Sequence, residues 1–359
     1  MKLFFTVCLL ILCMPLLSPA ADVRSNVYTE AVISEDVTWR GAILVRGFVV
    51  VAPQATLRIE PGTVVRFAKT ATGHLPNLVV QGRLHASGTV DQPVVFTADS
   101  SSPSRGEWGG IVLLSTEKRN QLDQCRIMYA RNAIETRFSS MTLNAVSIEQ
   151  AQAGVLSYDS VVQMTGGSVV DSGTGIEIHN SEFEARGVTI SSCQRGALFY
   201  TSSVVLSSAK IFNNLQSGLE LNDCRIKITS GEISENELGA RIKGGEGQLF
   251  MTGFQRNKRS ALHLLGSRVK IQRCLFAENS QEAIRTEDGL ALLMNNAFSA
   301  NGGFNLYNAG SEIVTARLNW WGTADQKKIS QKIYDQSRDK NVGIVDMYPW
   351  LNEKPQLTP

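Results

Sequence analysis

Short runs of alternating apolar and polar residues recur along the chain at a spacing of 21 or 22 residues. Each repeat contains three such runs, separated by turns. Alternation with a period of two predicts strands, and runs this short are not typical of helices. The repeats open on a small residue followed by aliphatic residues, at Ala133, Gly154, Gly175, Gly196, Gly218, Gly239, Ala261 and Ala283.

Aligning the repeats places apolar residues in columns that we expect to face a shared interior. The strand that opens the repeat gives Ile134, Val155, Ile176, Ala197, Leu219, Ala240, Leu262 and Ile284. The middle strand gives Met141, Val162, Phe183, Val204, Ile226 and Val269. The last strand gives Ile127, Ile148, Val169, Ile190, Ile211, Ile233, Phe254, Phe276, Phe298 and Leu318. Three inward columns predict a solenoid with three strands in each coil.

Two polar columns fall at the turns between these strands. One contains Ser139, Ser160, Ser181, Ser202, Cys224 and Ser267, and the other Asn214, Asn236, Asn257, Asn279 and Asn301. Asparagine tolerates the left-handed backbone conformation of a tight corner. Its amide also bonds to an identical residue one coil away, so the second column predicts an asparagine ladder.

The glycine-led openings, the serine column and the asparagine ladder together resemble the right-handed parallel β-helix of pectate lyases and many exported bacterial repeat proteins. The resemblance implies an all-β, single-stranded solenoid of about twelve coils over 56–321. An N-terminal cap and first coil are expected over 21–55, and a C-terminal cap over 322–359. We expect that cap to combine Trp320 and Trp321 with a short helix over Ala324–Gln336, capped by Thr323.

The first twenty residues are typical of a secretory signal peptide. Lys2 precedes an apolar run from Leu3 to Leu17, and small residues lead to a cleavage position after Ala20. The alternative is an uncleaved membrane anchor, for which the run is short, since a spanning helix needs roughly 20 apolar residues. We therefore expect an exported protein, periplasmic or extracellular, with no membrane span after removal of the signal.

Composition excludes several classes of function. The formal net charge of +2 gives no reason to expect a nucleic-acid partner. Cys125, Cys193, Cys224 and Cys274 fall in different columns or distant coils, so buried free thiols are expected instead of disulfides. The four histidines are scattered, and no metal or cofactor is expected. A distant resemblance to a periplasmic β-helix family that serves copper-site maturation is not matched by a Met/His cluster.

The catalytic motifs of the β-helix pectinases are absent. Of the polygalacturonase-like set only Arg241-Ile242-Lys243 occurs, without the aspartates that would protonate the leaving group and activate water. The basic residues concentrated between Arg241 and Arg285 leave two readings open, a polyanion-binding patch and a mixed, solvated charged surface.

The outward positions of the repeat-opening strand are the candidate site. Tyr158, Tyr200 and Tyr307 offer rings for stacking on sugars, and His179, Asn222, Arg241 and His263 offer hydrogen bonds to hydroxyl groups. Glu177 and Glu220, two coils apart, are the candidate catalytic carboxylates. The leading hypothesis is a non-catalytic protein that binds polysaccharide or a cell-surface glycan, or acts as a scaffold for another surface protein. The alternatives are a polysaccharide hydrolase or lyase on this strand, and a merely solvated sheet face.

Overall fold

The computed structural model describes residues 26–70 and 73–357. The predicted signal peptide at 1–20 lies outside these residues. Within them, no helix is long and apolar enough to cross a membrane.

The chain winds into a parallel β-solenoid of about 13 turns, with three faces. The first sheet consists of parts of β1 (Val27–Ile33) and β3 (Ala42–Val51), then β6 (Asn77–Val80), β9 (Gly110–Leu114), β12 (Asn132–Arg137), β15 (Ala153–Tyr158), β18 (Thr174–His179), β21 (Arg195–Tyr200), β24 (Ser217–Asn222), β27 (Leu238–Lys243), the first halves of β30 (Leu262–Gln272) and β32 (Ile284–Met294), β34 (Leu306–Asn308) and β36 (Ile333–Tyr334). The predicted all-β solenoid is confirmed.

The other two faces are built in the same way. The second sheet contains β2 (Val37–Trp39), β4 (Thr56–Ile59), β7 (Arg83–Ser87), β10 (Asn120–Asp123), β13 (Ser140–Asn144), β16 (Val161–Thr165), β19 (Glu182–Arg186), β22 (Ser203–Ser207), β25 (Arg225–Thr229), β28 (Glu246–Phe250), the second halves of β30 and β32, β35 (Val314–Thr315) and β37 (Val345–Asp346). The third contains the remaining parts of β1 and β3, then β5 (Val64–Ala68), β8 (Val94–Ala98), β11 (Cys125–Met128), β14 (Ser147–Glu149), β17 (Ser168–Val170), β20 (Thr189–Ser191), β23 (Lys210–Phe212), β26 (Glu232–Ser234), β29 (Gly253–Gln255), β31 (Leu275–Ala277) and β33 (Ala297–Ser299).

The strand register confirms the apolar columns, with one exception at the C-terminal end. Ile233, Phe254, Phe276 and Phe298 stand directly above one another, and their side chains are buried. Leu318 does not continue the column, because it is 37% exposed and has a positive φ of 56°. Trp321 takes the place instead and stacks on Phe298 at a ring-centroid distance of 4.7 Å.

The asparagine ladder is present, but the reason for asparagine at these corners differs from the prediction. The left-handed conformation belongs to the preceding exposed residue, with φ of 58° at Glu235, 51° at Arg256 and 58° at Glu278. The ladder residues turn their amides inward and satisfy buried groups. Asn236 and Asn257, for example, each accept a backbone N–H and an amide N–H from the preceding ladder residue.

The helix in the C-terminal cap is shorter than predicted. Helix α1 covers Gln326–Gln331, and its N-cap is Asp325, which accepts hydrogen bonds from the backbone N–H groups of residues 327 and 328. Ile333 and Tyr334 are not helical, because they pair with Leu306 and Tyr307 and extend the first sheet as β36. The open edge of the first sheet offers backbone hydrogen-bond partners to this segment. Pairing with that edge is favoured over the helix that the apolar pattern of the segment predicts.

The four cysteines in the described residues are buried and free, as expected. The same part of the chain holds no group of three or more His, Cys, Asp or Glu side chains placed to bind a metal ion.

Candidate functional site

The outer surface of the first sheet brings most of the predicted site residues into two neighbouring columns. Tyr158, His179, Tyr200 and Asn222 pair in register on successive coils. Glu177, Leu198, Glu220, Arg241 and His263 form the adjacent column. We call these nine residues the first-sheet strip.

Three rings of the strip form a ladder. The ring centroids of Tyr158 and His179 are 4.9 Å apart with planes inclined by 12°, and those of His179 and Tyr200 are 4.7 Å apart with planes inclined by 6°. The guanidinium carbon of Arg137 lies 4.7 Å from the centre of the Tyr158 ring and covers its remaining face. The rings stack because equivalent positions on adjacent coils are one strand spacing, about 4.8 Å, apart. Ring centroids at this separation are within the range of stacked aromatic pairs.

The ladder leaves little ring face for a ligand. Both faces of Tyr158 and His179 are covered by neighbours, so these side chains present their edges and polar atoms to solvent. Tyr200 ends the ladder, and its second face points toward the coil of Asn222, where no other ring or guanidinium of the described chain covers it. Tyr200 is therefore the ladder residue with one face not stacked on another ring or guanidinium, although Asn222 stands in register on that side.

Tyr307 belongs to a different group. It pairs with Arg285 and thus lies in the Glu177 column, not in line with Tyr158 and Tyr200. Its ring is stacked between the Arg285 guanidinium, at 4.6 Å, and Tyr334, at 4.2 Å. Both of its faces are therefore covered as well.

The carboxylates of the strip are held by neighbouring polar groups. Glu177 Oε1 lies 3.0 Å from His179 Nε2, and Glu177 Oε2 lies 3.9 Å from Arg195. Glu220 accepts a hydrogen bond from the hydroxyl of Ser217. Leu198, which stands between the two glutamates, is only 1% exposed although it points outward. The two carboxylates are therefore separated by an apolar side chain on the intervening coil.

Tyr200 is held in its protonated form. Burial, together with the negative charges of Glu177 and Glu220, raises the pKa of the Tyr200 hydroxyl. A tyrosine with a raised pKa donates a hydrogen bond and is a poor general base at neutral pH. This position therefore offers a hydroxyl group that donates a hydrogen bond at neutral pH.

The far end of the strip contains a second charged network. His263 Nε2 lies 3.1 Å from Glu287 Oε1, which also accepts a hydrogen bond of 2.7 Å from Arg285 Nε. Burial lowers the pKa of His263, although the adjacent Glu287 opposes this shift. The hydrogen bond from Arg285 lowers the pKa of Glu287.

A groove on the second sheet was missed by the sequence analysis. It has a volume of about 600 Å³ and is lined by residues of β22, β25, β28, β30 and β32, together with Ile313 and Thr315. Its cationic residues are Arg225, Lys227, Arg268 and Lys270. A second concavity of about 680 Å³, at the corner with the first sheet, shares Ser203, Arg225 and Glu246 with it. Alternation along β25 and β30 identifies the four cations as outward, but it does not show the shape of the surface that they form.

Solved structures that resemble this chain do so at low sequence identity and low TM-score. The periplasmic alginate epimerase AlgG is 12% identical, with a TM-score of 0.41, over 91% of this chain and 79% of that chain. The A-module of the mannuronan C-5 epimerase AlgE4 of Azotobacter vinelandii is 12% identical, with a TM-score of 0.41, over 77% of this chain and 91% of that chain. No curated protein matches the chain.

Family models give a more direct assignment. The pectate-lyase-like beta helix domain matches residues 31–158. The right-handed beta helix region matches residues 109–253 and again residues 174–319, so the two overlapping matches cover more than half of the chain. With the parallel three-faced solenoid already described, these matches place the chain in the right-handed β-helix family.

Proposed function

We propose that this protein is an exported, non-catalytic β-helix that binds a polysaccharide along the first-sheet strip. The observation that carries the proposal is the ladder of Tyr158, His179 and Tyr200, whose rings are spaced by 4.9 and 4.7 Å. The ladder presents a hydroxyl group or ring nitrogen at each coil. A surface with polar groups at regular intervals suits a linear chain of repeating sugars lying parallel to the solenoid axis.

The carboxylate geometry supports binding over cleavage. Glu177 and Glu220 are two strand spacings apart, about 9.6 Å along the backbone, which is at the upper limit of the separation in inverting glycosidases. Each already holds a hydrogen-bond partner, and Leu198 stands between them. The raised pKa of Tyr200 keeps its hydroxyl group protonated and available as a hydrogen-bond donor.

The test is a glycan-array screen with the purified protein, followed by product analysis on every glycan bound. Tyr200→Phe removes the hydroxyl but retains the ring, and we expect a loss of affinity between about twofold and tenfold. Tyr200→Ala should weaken binding further. Tyr348→Ala is the matched control, because Tyr348 is 71% exposed and lies in the C-terminal cap, away from the strip.

The second candidate is a polysaccharide hydrolase or lyase, which one observation favours. Glu177 and His179 are hydrogen-bonded at 3.0 Å, as a general base and its orienting carboxylate would be. In that case the protein releases reducing ends or unsaturated sugars, and Glu177→Gln or Glu220→Gln abolishes the release. Any such turnover overturns the non-catalytic proposal. A protein that binds no glycan is a scaffold, and neither set of substitutions then changes its association with a protein partner.

A further inference from the structure

The outer face of the second sheet changes from polar to apolar toward the C-terminal end of the solenoid. One outward column is polar on five successive coils, which carry Glu182, Ser203, Arg225, Glu246 and Arg268. Leu290 pairs with Arg268 and is the next residue of this column. On the coils that follow, the same register brings Ile313 and then Ile344 into line with it. We call Leu290, Ile313 and Ile344 the apolar track.

The apolar track is open to solvent, since its three side chains are 56%, 57% and 45% exposed. Single exposed apolar residues are common on protein surfaces, but a contiguous line of them marks a binding site or an interface. The groove on the second sheet reaches Ile313 from one side, and a further groove of about 680 Å³ reaches it from the other. That further groove also contains Met347, Tyr348 and Trp350, so the apolar surface continues beyond Ile344.

The N-terminal end of the track carries unneutralised positive charge. Arg268 precedes Leu290 in one column, and Lys270 precedes Leu292 in the neighbouring column. Both cationic side chains are exposed, and neither forms an ion pair within residues 26–70 and 73–357. Glu246 stands in register with Arg268 one coil away but does not pair with it. Two free cations therefore lie directly beside the first residue of the track.

The C-terminal segment of the chain does not fill this surface. Among the residues that the structure describes, none after Trp350 lines either of the two grooves that meet at Ile313. Leu357, the last of them, lies in a different groove of about 280 Å³, which is lined by Ser208 and Arg273 among others. The apolar track is therefore available to a ligand.

Positive charge at one end of an apolar line fits an amphiphile with a single anionic head group. Arg268 and Ile344 are three strand spacings apart, about 14 Å, which is close to the length of an extended dodecyl chain. A polymer with a charge on every unit does not fit, because its charges would lie over the track or against the acidic corner that contains Asp223. A single head group beside Lys270 avoids both, and only Glu246, one coil away, weakens its attraction.

We propose that this surface binds a single-chain amphiphile with an anionic head group, of the fatty-acid type. Arg268 and Lys270 hold the head group, and the hydrocarbon chain lies along the apolar track toward Tyr348 and Trp350. Both grooves are concave, which favours one isolated chain over the flat surface of a bilayer. The inference is independent of the first-sheet strip, which lies on another face of the solenoid.

The test is titration calorimetry of the purified protein with dodecanoate, octanoate and dodecyl maltoside, each below its critical micelle concentration. Octanoate should bind at least about tenfold more weakly than dodecanoate, because four fewer methylene groups contact the track. Dodecyl maltoside, which has a neutral head group, should bind about fivefold more weakly than dodecanoate.

Three variants separate the head site from the track. Arg268→Gln/Lys270→Gln should weaken dodecanoate binding about fivefold and leave dodecyl maltoside binding unchanged. Ile313→Gln should weaken the binding of both ligands about fivefold, because it places an amide that must lose water beneath the chain. Glu246→Gln should strengthen dodecanoate binding about twofold, since it removes the opposing charge.

The controls replace residues of the same type at a distance from the track. Arg66→Gln/Arg83→Gln removes two exposed cations of β5 and β7, and Leu215→Gln replaces a leucine that is 68% exposed and belongs to neither groove. Both should leave all three affinities unchanged. Tyr200→Ala should also leave dodecanoate binding unchanged, because Tyr200 belongs to the first-sheet strip. An unchanged urea midpoint in every variant shows that the fold is intact.

Several results would overturn the inference. Equal binding of octanoate and dodecanoate excludes the track, and equal binding of dodecyl maltoside and dodecanoate excludes the anionic head site. The same loss in the control variants shows that binding is non-specific. Co-sedimentation with phosphatidylglycerol vesicles, without binding of free dodecanoate, identifies the surface as a bilayer contact instead.

Discussion

Replacing Asn257 by alanine should remove four hydrogen bonds of the asparagine ladder. The Asn257 amide donates to the carbonyl of Ile233 at 3.1 Å and to Asn279 Oδ1 at 3.0 Å. Its oxygen accepts from the backbone N–H of Asn236 at 3.1 Å and from the Asn236 amide at 3.3 Å. The side chain is fully buried, so no water replaces these partners.

The magnitude follows from what the substitution leaves unpaired. The backbone N–H of Asn236 loses its acceptor, which costs about 1–3 kcal/mol for a buried group. The other three hydrogen bonds contribute about 1 kcal/mol each, and part of that is recovered because Asn236 and Asn279 keep other partners. We expect the free energy of unfolding to fall by about 3–5 kcal/mol in Asn257→Ala.

The assay is urea denaturation followed by circular dichroism, with the midpoint and the m-value compared between variants. Asn352→Ala is the control, because that side chain is exposed near the C-terminus and should change stability by less than about 0.5 kcal/mol. Asn257→Ala/Asn279→Ala should cost less than the sum of the single variants, since the two side chains share a hydrogen bond. A loss below about 1 kcal/mol for Asn257→Ala would refute the hydrogen-bond argument.

Three further predictions follow from the core and the charges. Phe276→Ala should lower the free energy of unfolding by about 3–5 kcal/mol in the same urea assay, because its ring is buried between Phe254 and Phe298; a smaller cost would show that the stack closes over the gap. Burial raises the pKa of the Cys274 thiol to about 12, so a thiol reagent should modify it only after unfolding, and rapid labelling of the native protein would contradict this. The pKa of Glu287 is lower in the folded protein than its unfolded value of 4.5, so the ionised carboxylate stabilises the fold above that pH. This stabilisation is lost as the pH falls through the folded pKa. Glu287→Gln should therefore lose less stability in acid than the unaltered protein, as measured by urea midpoints across that range.

The interior of the solenoid was predictable because the apolar pattern fixes the strand register. A slip of one residue would turn Ile148 or Phe254 to solvent, so the columns align in one way only. The prediction failed at Leu318, where the last repeat is longer than the others and Trp321 reaches the stacking position. It failed again at Ile333 and Tyr334, because their pairing with the open edge of the first sheet depends on tertiary structure, which the local sequence pattern does not show.

The outer surface was predictable only in part, for a physical reason. Alternation correctly placed Tyr158, His179 and Tyr200 in one outward column. It gave no information on whether their ring faces are free, because that depends on the distance between coils and on the rotamers that bring the rings together. The groove on the second sheet was missed for a related reason, since alternation shows which side chains point outward but not the shape of the surface between them.

The residues that stabilise the fold lie in inward columns, and the residues proposed to bind a ligand lie in outward columns. The two sets can therefore be replaced separately, so a loss of binding can be distinguished from a loss of stability. The strands of each coil pair only with those of the two neighbouring coils, so a substitution in a strand acts mainly on the local stack. Lys227 and Lys270 are outward, exposed and unpaired, so their replacement removes charge without opening a cavity or orphaning a buried group. Their stability cost should be within about 0.5 kcal/mol, against several for Asn257. A change in binding caused by replacing an outward residue of this kind, with an unchanged urea midpoint, therefore reports on the surface and not on the stability of the fold.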